Sequence, residues 1–143
     1  MNGQAFVRTV ERMFLPFLRE AGFPGVSTTL SGKLYRASFA GAELMVSVSF
    51  EPGDDALFVI VFTRENDGWS DMDNRESSPR LSDLNARYLG MVGPEERAEN
   101  EVYFRSIEAC DAVERAMLKA AKELRLVLPM YIADRAGHVR QGD

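Results

Sequence analysis

The chain is poor in the residues on which most enzyme chemistry depends. Its 143 residues include one cysteine and one histidine. Cys110 has no partner for an internal disulfide, so stability has to come from the core, which suits a reducing compartment. Zinc prefers nitrogen and sulfur ligands and finds too few here. His138 stands between Gly137 and Val139 in a polar C-terminal stretch, a weak support for the fixed geometry a histidine base requires. Cys110 is expected to pack as a small hydrophobe on a helix stripe. Glu108, Asp111 and Glu114 flank it, whereas an activated thiol needs electropositive surroundings. Glycine-rich phosphate loops and the Gly-x-Ser-x-Gly elbow are missing. No apolar run approaches the ~20 residues of a membrane span. The apolar stretch at 4–18 is cut by Arg8, Glu11 and Arg12 and lacks a small-residue cleavage site, unlike a signal peptide. The expectation is a cytoplasmic protein that needs no cofactor and meets no membrane.

What is present fits one soluble domain. Hydrophobic residues make up 45% and charged residues 27%, ordinary values for a globular chain. A chain of this length can bury about 68–70% of its unfolded surface without disulfide or metal staples. Residues 1–132 read as a single domain and 133–143 as a polar, mobile tail. The net charge is −5. Residues 1–50 carry a slight positive excess, whereas Glu51, Asp54 and Asp55 and then the stretch from Arg64 to Arg80 are acidic. Phosphate backbones attract the opposite sign, so nucleic acid is not an expected partner.

The hydrophobic pattern predicts an α+β fold. Phe6, Val10, Met13, Phe14, Phe17, Leu18 and Ala21 form one helical face over residues 4–21, with a kink expected near Arg12 to Pro16. Gly22 and Phe23 look like a left-handed C-terminal cap, which Pro24 follows. Three strands are expected in an antiparallel meander: Lys33 to Ala40, Glu43 to Phe50 and Ala56 to Thr63. In the second, Leu44, Val46, Val48 and Phe50 should point inward. The third is apolar on both faces, so a helix or a second copy of the chain should cover its outer side, which makes a homodimer an option. Ser78-Pro79 resembles an N-cap followed by proline at the first helical position, opening a short helix through Leu81, Leu84, Tyr88 and Met91. A further helix should open at Pro94 and end at Pro129. Its stripe runs through Ala98, Val102, Ala109, Val113, Met117, Ala120, Leu124 and Val127. A single helix over 94–128 would be about 50 Å long, while Asp111-Ala-Val-Glu114 could be a capping box. Both an unbroken helix and one interrupted near Ser106 to Asp111 are open, giving two or three helices after the strands.

The stretch from Arg64 to Pro79 is where function is expected. It carries neither helical nor strand periodicity, five carboxylates (Glu65, Asp67, Asp71, Asp73, Glu76) and Trp69, the one tryptophan. Long irregular segments within a domain are usually functional or disordered, and disordered sequence is poor in aromatics. Placing Gly68 at the sixth position of a calcium loop puts Thr63 first and Asn74 twelfth, so the bidentate carboxylate is missing. A looser divalent-cation site from Asp67, Asp71 and Asp73 is the alternative. Arg80 and Arg87 are candidates for an anion clamp. The leading expectation is a protein-binding surface using Trp69, Asp71, Asp73 and Glu76. On that reading residues 66–76 bury little, and replacing them with a Gly/Ser linker should hardly move the melting point.

The small size, acidic charge, helix-then-three-strands order, the LSDLN helix at 81–85 and an amphipathic C-terminal helix together resemble type III secretion chaperones. The resemblance is one of architecture and spans most of the chain. It implies a dimeric, non-enzymatic protein that binds another polypeptide. It also implies further strands after the second helix, for which Tyr88 to Val92 and Glu101 to Ile107 are the candidates. An adaptor, chaperone or toxin-neutralising protein is therefore the expected class. The alternative is a small enzyme or divalent-cation-binding protein using carboxylates of the same loop.

Overall fold

A computed structural model describes the chain through residue 141, with side chains through residue 137. Five helices accompany one antiparallel sheet of five strands, in the order β1-β2-β3-β4-β5. The fold is α+β.

The first helical face is carried by two helices, α1 (Gly3–Met13) and α2 (Leu15–Glu20), parted at Phe14. Asn2 caps α1, its Oδ1 accepting the Ala5 N–H at 2.8 Å. Pro16 falls in the first turn of α2. Phe14 at the junction keeps a right-handed helical conformation, its N–H still donating to the Val10 carbonyl at 2.9 Å. The helical path is thus interrupted within the Arg12 to Pro16 stretch, where a kink is expected. Gly22 has φ +97°, the Phe23 N–H donates back to the Leu18 carbonyl at 2.9 Å, and Phe23 is buried. The two-residue bond pattern and the hydrophobic contact are those of a left-handed cap.

The three expected strands are β2 (Tyr35–Ala40), β3 (Leu44–Glu51) and β4 (Ala56–Glu65), each displaced by no more than two residues at an end. Two more strands correct the three-stranded meander. β1 (Gly25–Leu30) pairs along its whole length with β2, and β5 (Gly68–Trp69) pairs with Arg64 and Glu65 of β4. β1 escapes a pattern reading because all six of its residues are exposed; with neither face buried, period 2 has no contrast to reveal it.

Ala37, Phe39, Val46, Val48, Phe50, Val59 and Val61 line the inner face of the sheet and join one core with Phe6, Val10, Leu18, Leu84, Met117 and Leu124 of the helices. Each of these Val, Leu, Met and Phe side chains contributes about 1.5–3 kcal/mol on burial. The outer face of β4 is not covered by a helix as expected. Ile60 is buried where the chain returns to the edge of β4, Arg80 forming a bridge to it, while Phe58 remains 42% exposed.

Helix α3 (Leu81–Tyr88) begins later than the Ser78-Pro79 signal suggested. The Pro79 carbonyl accepts the Val61 N–H at 2.9 Å, so Ser78 and Pro79 are held to the sheet, and the N-cap is Arg80. The Asp83 carboxylate reaches back to the Arg80 N–H at 2.9 Å. A 3₁₀ turn, Leu89–Met91, follows, and then α4 (Pro94–Tyr103); neither segment proposed for extra strands is one.

The open choice for the C-terminal region resolves as a break. α4 ends at Tyr103, α5 (Ala112–Gln141) starts after the eight residues 104–111, and the Asp111 carboxylate accepts the Glu114 N–H at 2.8 Å. Phe104 anchors the break in the core, edge-on to Phe17 with ring centroids 6.0 Å apart. Arg12 fixes its far end, donating to the Glu108 carbonyl at 3.2 Å and pairing with Glu114 at 2.7 Å. Two expectations fail here. Val102 is 55% exposed, so the stripe does not extend into α4, and Cys110 is exposed in the break instead of packed in the core. A third concerns Pro129, which lies inside α5. Pro129 is exposed, so water can satisfy the carbonyl its ring leaves unpaired, and Tyr131 beyond it is buried beside Tyr88. Residues 133–141 of the expected tail are thus helical. The His138 side chain and residues 142–143 lie outside the described residues.

Candidate functional site

The segment from Arg64 to Pro79 is a built structure. β4 turns through Asn66 and Asp67 into β5, with Gly68 at φ +140° supplying a conformation that other residues rarely adopt. The Arg64 guanidinium lies over the half-buried Trp69 ring, 4.4 Å from its centroid. From there the chain leaves the sheet at Ser70 and rejoins it at Pro79. Ser70 and Ser78 are buried with hydroxyls 2.5 Å apart. Ser70 Oγ also accepts the Thr63 N–H at 2.9 Å, and Thr63 Oγ1 donates to the Ser77 carbonyl at 2.7 Å. Asn74 Oδ1 accepts the Glu76 N–H at 3.2 Å, and the Asn74 carbonyl accepts the Ser78 N–H at 2.8 Å. The excursion is a loop closed on its own polar groups, of the kind that small compact Ω-loops make.

This architecture separates the residues on which the sequence focused attention. Asp71 is spent on the turn, its carboxylate accepting the Asp73 N–H at 2.9 Å. Asp67, Asp71, Asp73 and Glu76 are exposed. Among the described residues no three His, Cys, Asp or Glu side chains are grouped to hold a metal ion, so Asp67, Asp71 and Asp73 do not converge. Arg80 is not part of an anion clamp with Arg87. Its guanidinium donates to the Met72 and Ser78 carbonyls and so ties the loop to the start of α3.

Where the loop meets α3 and the late turns of α5 there is a cleft of about 490 Å³. Pro79 and Leu84 lie along it, Tyr88 and Tyr131 line it with their rings 6.5 Å apart, and Glu76 brings the loop's carboxylate to it. Arg75 reaches across from the loop to Asp83 with two donors, at 2.7 and 3.1 Å. The Tyr88 hydroxyl donates to Asp134 at 2.7 Å, and Arg87 and Arg135 stand near the two tyrosine rings, at 5.8 and 5.7 Å from the centroids. Among the described residues neither Arg87 nor Arg135 has a carboxylate within salt-bridge distance.

The electrostatics follow from this packing. Burial pushes the Tyr88 phenol above its ordinary range, and its hydrogen bond to Asp134 adds to this. At Asp83 partial desolvation works to raise the carboxyl, but the hydrogen bonds from Arg75 and the Arg80 N–H, with the charges of both arginines, outweigh it and hold it below its ordinary value. Neither shift creates a general acid or base near neutrality. What the cleft offers is two guanidinium groups with donors to spare, set over a short apolar floor in which the Tyr88 and Tyr131 rings are largely buried.

Sequence reading singled out Glu76 with Trp69, Asp71 and Asp73, and Arg87 with Arg80, but not Tyr88, Tyr131, Asp134 and Arg135 as a group. The one available signal was the spacing of Tyr131 and Arg135, four apart on a helical face, and it lay beyond the proline taken as the helix end. Compared with protein-family models, curated proteins and solved structures, the chain shows no match.

Proposed function

We propose that the protein is a non-enzymatic polypeptide-binding module whose recognition surface is the cleft between the Arg64–Pro79 loop, α3 and α5. The observation that carries this reading is the pairing of Tyr88 and Tyr131 with Arg87 and Arg135 around one concave surface. Arginine is among the residues that dominate the energetics of protein interfaces, and the buried Tyr88 and Tyr131 rings give Arg87 and Arg135 a rigid support. Two guanidinium groups that form no salt bridge among the described residues favour a partner segment that presents acidic side chains or a chain-terminal carboxylate, which arginine binds bidentately. Glu76, at the rim, would select against an acidic group placed on the loop side and so fix the direction in which the segment lies. Trp69, Asp71 and Asp73 do not line this cleft.

The test compares capture by the wild type with capture by two variants of matched stability. Arg87→Glu combined with Arg135→Glu should lose the specific partner and the salt sensitivity of its recovery. Asp71→Asn combined with Asp73→Asn should keep both. Recovery of the same partner by the double-glutamate variant would rule out the cleft as the recognition surface.

A further inference from the structure

β1 lies at an edge of the sheet, and its pairing with β2 fixes which of its backbone groups are used. The Ser31 N–H donates to the Leu34 carbonyl at 3.0 Å across the β1–β2 turn, so Ser31 points toward β2. At the other end the Gly41 N–H donates to the Leu44 carbonyl at 2.8 Å, so Gly41 points toward β3 and Ala40, opposite Gly25, points toward β1. Backbone direction alternates along a strand. Both ends therefore agree: Gly25, Ser27 and Thr29 bond to β2, while Val26, Thr28 and Leu30 turn their N–H and C=O groups outward.

Natural edge strands are usually blunted by a charge, a proline, a bulge or a covering element. Between Gly25 and Leu30 there is no charge and no proline, the register with β2 is unbroken, and every residue is exposed. Val26 and Leu30 stand 44% and 47% exposed on the helix side of the sheet. Val26 and Thr28 also border a hollow of about 170 Å³ against Val7 and Leu15.

We infer that β1 is a self-association edge, on which a second copy of the chain adds its own β1 antiparallel about a two-fold axis through Thr28. The strand is self-complementary in that register. Val26 faces the second copy's Leu30, Thr28 faces Thr28, and Leu30 faces Val26, so all the outward donors and acceptors of the three residues are matched in closely spaced pairs. On the helix side each Leu30 lands beside the other copy's Val26, over the mouth of the hollow. On the opposite side Ser27 meets Thr29, two small hydroxyl residues with no charge to repel. The two five-stranded sheets become one of ten strands. A two-fold axis requires such a self-matching patch, and an arbitrary partner strand does not explain the apolar–threonine–apolar symmetry. The seam is short and falls at the small end of specific interfaces, below about 1,200 Å², so association should be concentration-dependent rather than permanent.

Sedimentation velocity of the full chain over a dilution series, with variants at position 28, tests this. The wild type should pass from monomer to dimer in the micromolar range. Thr28→Lys and Thr28→Glu each place like charges opposite one another and should each weaken dimerisation about tenfold or more. An equimolar mixture of the two should restore it, because only a two-fold axis through this residue brings position 28 against itself. Thr28→Pro removes an outward N–H that the monomer does not use and should leave a folded monomer. A wild type that stays monomeric at several hundred micromolar overturns the inference. So does a dimer indifferent to Thr28→Lys and Thr28→Pro, or a mixture no more associated than its components.

Discussion

Along β4 the backbone groups of Val61 and Thr63 that face away from β3 are taken up by Pro79 and Ser70; along β1 those of Val26, Thr28 and Leu30 face away from the sheet with no strand beyond them among the described residues. The difference explains how much sequence each edge consumes. Closing β4 takes the two residues of β5, an excursion held by Ser70, Asn74, Ser77 and Ser78, and a return at Pro79 and Arg80. β1 ends the sheet with six uncharged residues and nothing more. A polar, irregular segment can therefore be the more structural of the two, and a regular strand the more available for contact. Much of the loop's order serves to seal an edge, and only the fraction that holds Arg75, Glu76 and Pro79 also borders the cleft.

The largest test of this contrast replaces residues 66–76 with a Gly/Ser linker. The sequence alone suggested a nearly unchanged melting point. The structure reverses that expectation, because the replacement removes the Arg64–Trp69 stacking, the Ser70 hydroxyl and the Asn74 turn together. A loss of about 3 kcal/mol is expected, or roughly 10 °C in the thermal midpoint of a domain of this size. At the open edge, Thr28→Lys in dilute solution should stay within about 0.5 kcal/mol of the wild type, as surface substitutions generally do. Equal losses at the two edges would remove the distinction.

A narrower cut is Ser70→Ala. It deletes one hydroxyl and leaves the Thr63 N–H without its acceptor at a partly buried position. An unsatisfied buried donor costs about 1–3 kcal/mol, so a loss of about 2 kcal/mol is expected in chemical denaturation. Hydrogen exchange should locate it: the Thr63 amide loses protection while the amides of β2 keep theirs. Uniform loss of protection across the sheet would mean that the hydroxyl supports the whole domain and not the edge.

How much of this was legible in the sequence depended on whether a residue's neighbours were close in the chain. β3 was readable because Val46 and Val48 alternate with Met45 and Ser47 against a buried face, and the Gly22-Phe23 cap and the Asp111 cap were readable because each closes within five residues. β1 offered no such contrast, since its Val26 and its Ser27 are both exposed. Pro129 was misread because the force that carries α5 past it is the packing of Tyr131 on Tyr88, a contact between residues more than forty positions apart. The candidate site divides in the same way. Its loop was visible as an irregular acidic stretch, whereas the cleft exists only because α5 brings Tyr131 and Arg135 beside α3.

Tyr88→Phe gives a smaller effect on the closed side. It removes the 2.7 Å bond to Asp134 and should cost about 1 kcal/mol at neutral pH. Because burial and Asp134 raise the Tyr88 pKa above its unfolded value near 10, its favourable contribution is whole below that pH and is lost as pH rises through the folded pKa. The variant should therefore be less sensitive than the wild type to unfolding by alkali. An unchanged alkaline limb in the variant would show that other tyrosines govern that transition.

The smallest expected effect belongs to Asp83, where the loop's Arg75 and the backbone of Arg80 meet. Its folded pKa is depressed below the ordinary carboxylate value of 3.8, so the sign is opposite to that of Tyr88: the contribution is present above the unfolded pKa and is lost as pH falls through the folded one. The carboxylate is 36% exposed and Arg75 58% exposed, so solvent screens the pair and only about 0.5 kcal/mol is expected from it. Asp83→Asn keeps an oxygen for the Arg80 N–H but loses the charge that Arg75 reads. Denaturation at pH 7 should show the variant slightly less stable than the wild type, and the gap should close in acid as pH falls through the depressed folded pKa and the wild-type carboxylate protonates. Adding salt at pH 7 should shrink the same gap. A gap that persists in acid and in high salt would assign the role of Asp83 to capping α3 and not to holding Arg75, and the loop's attachment to the cleft would then rest on Arg80 alone.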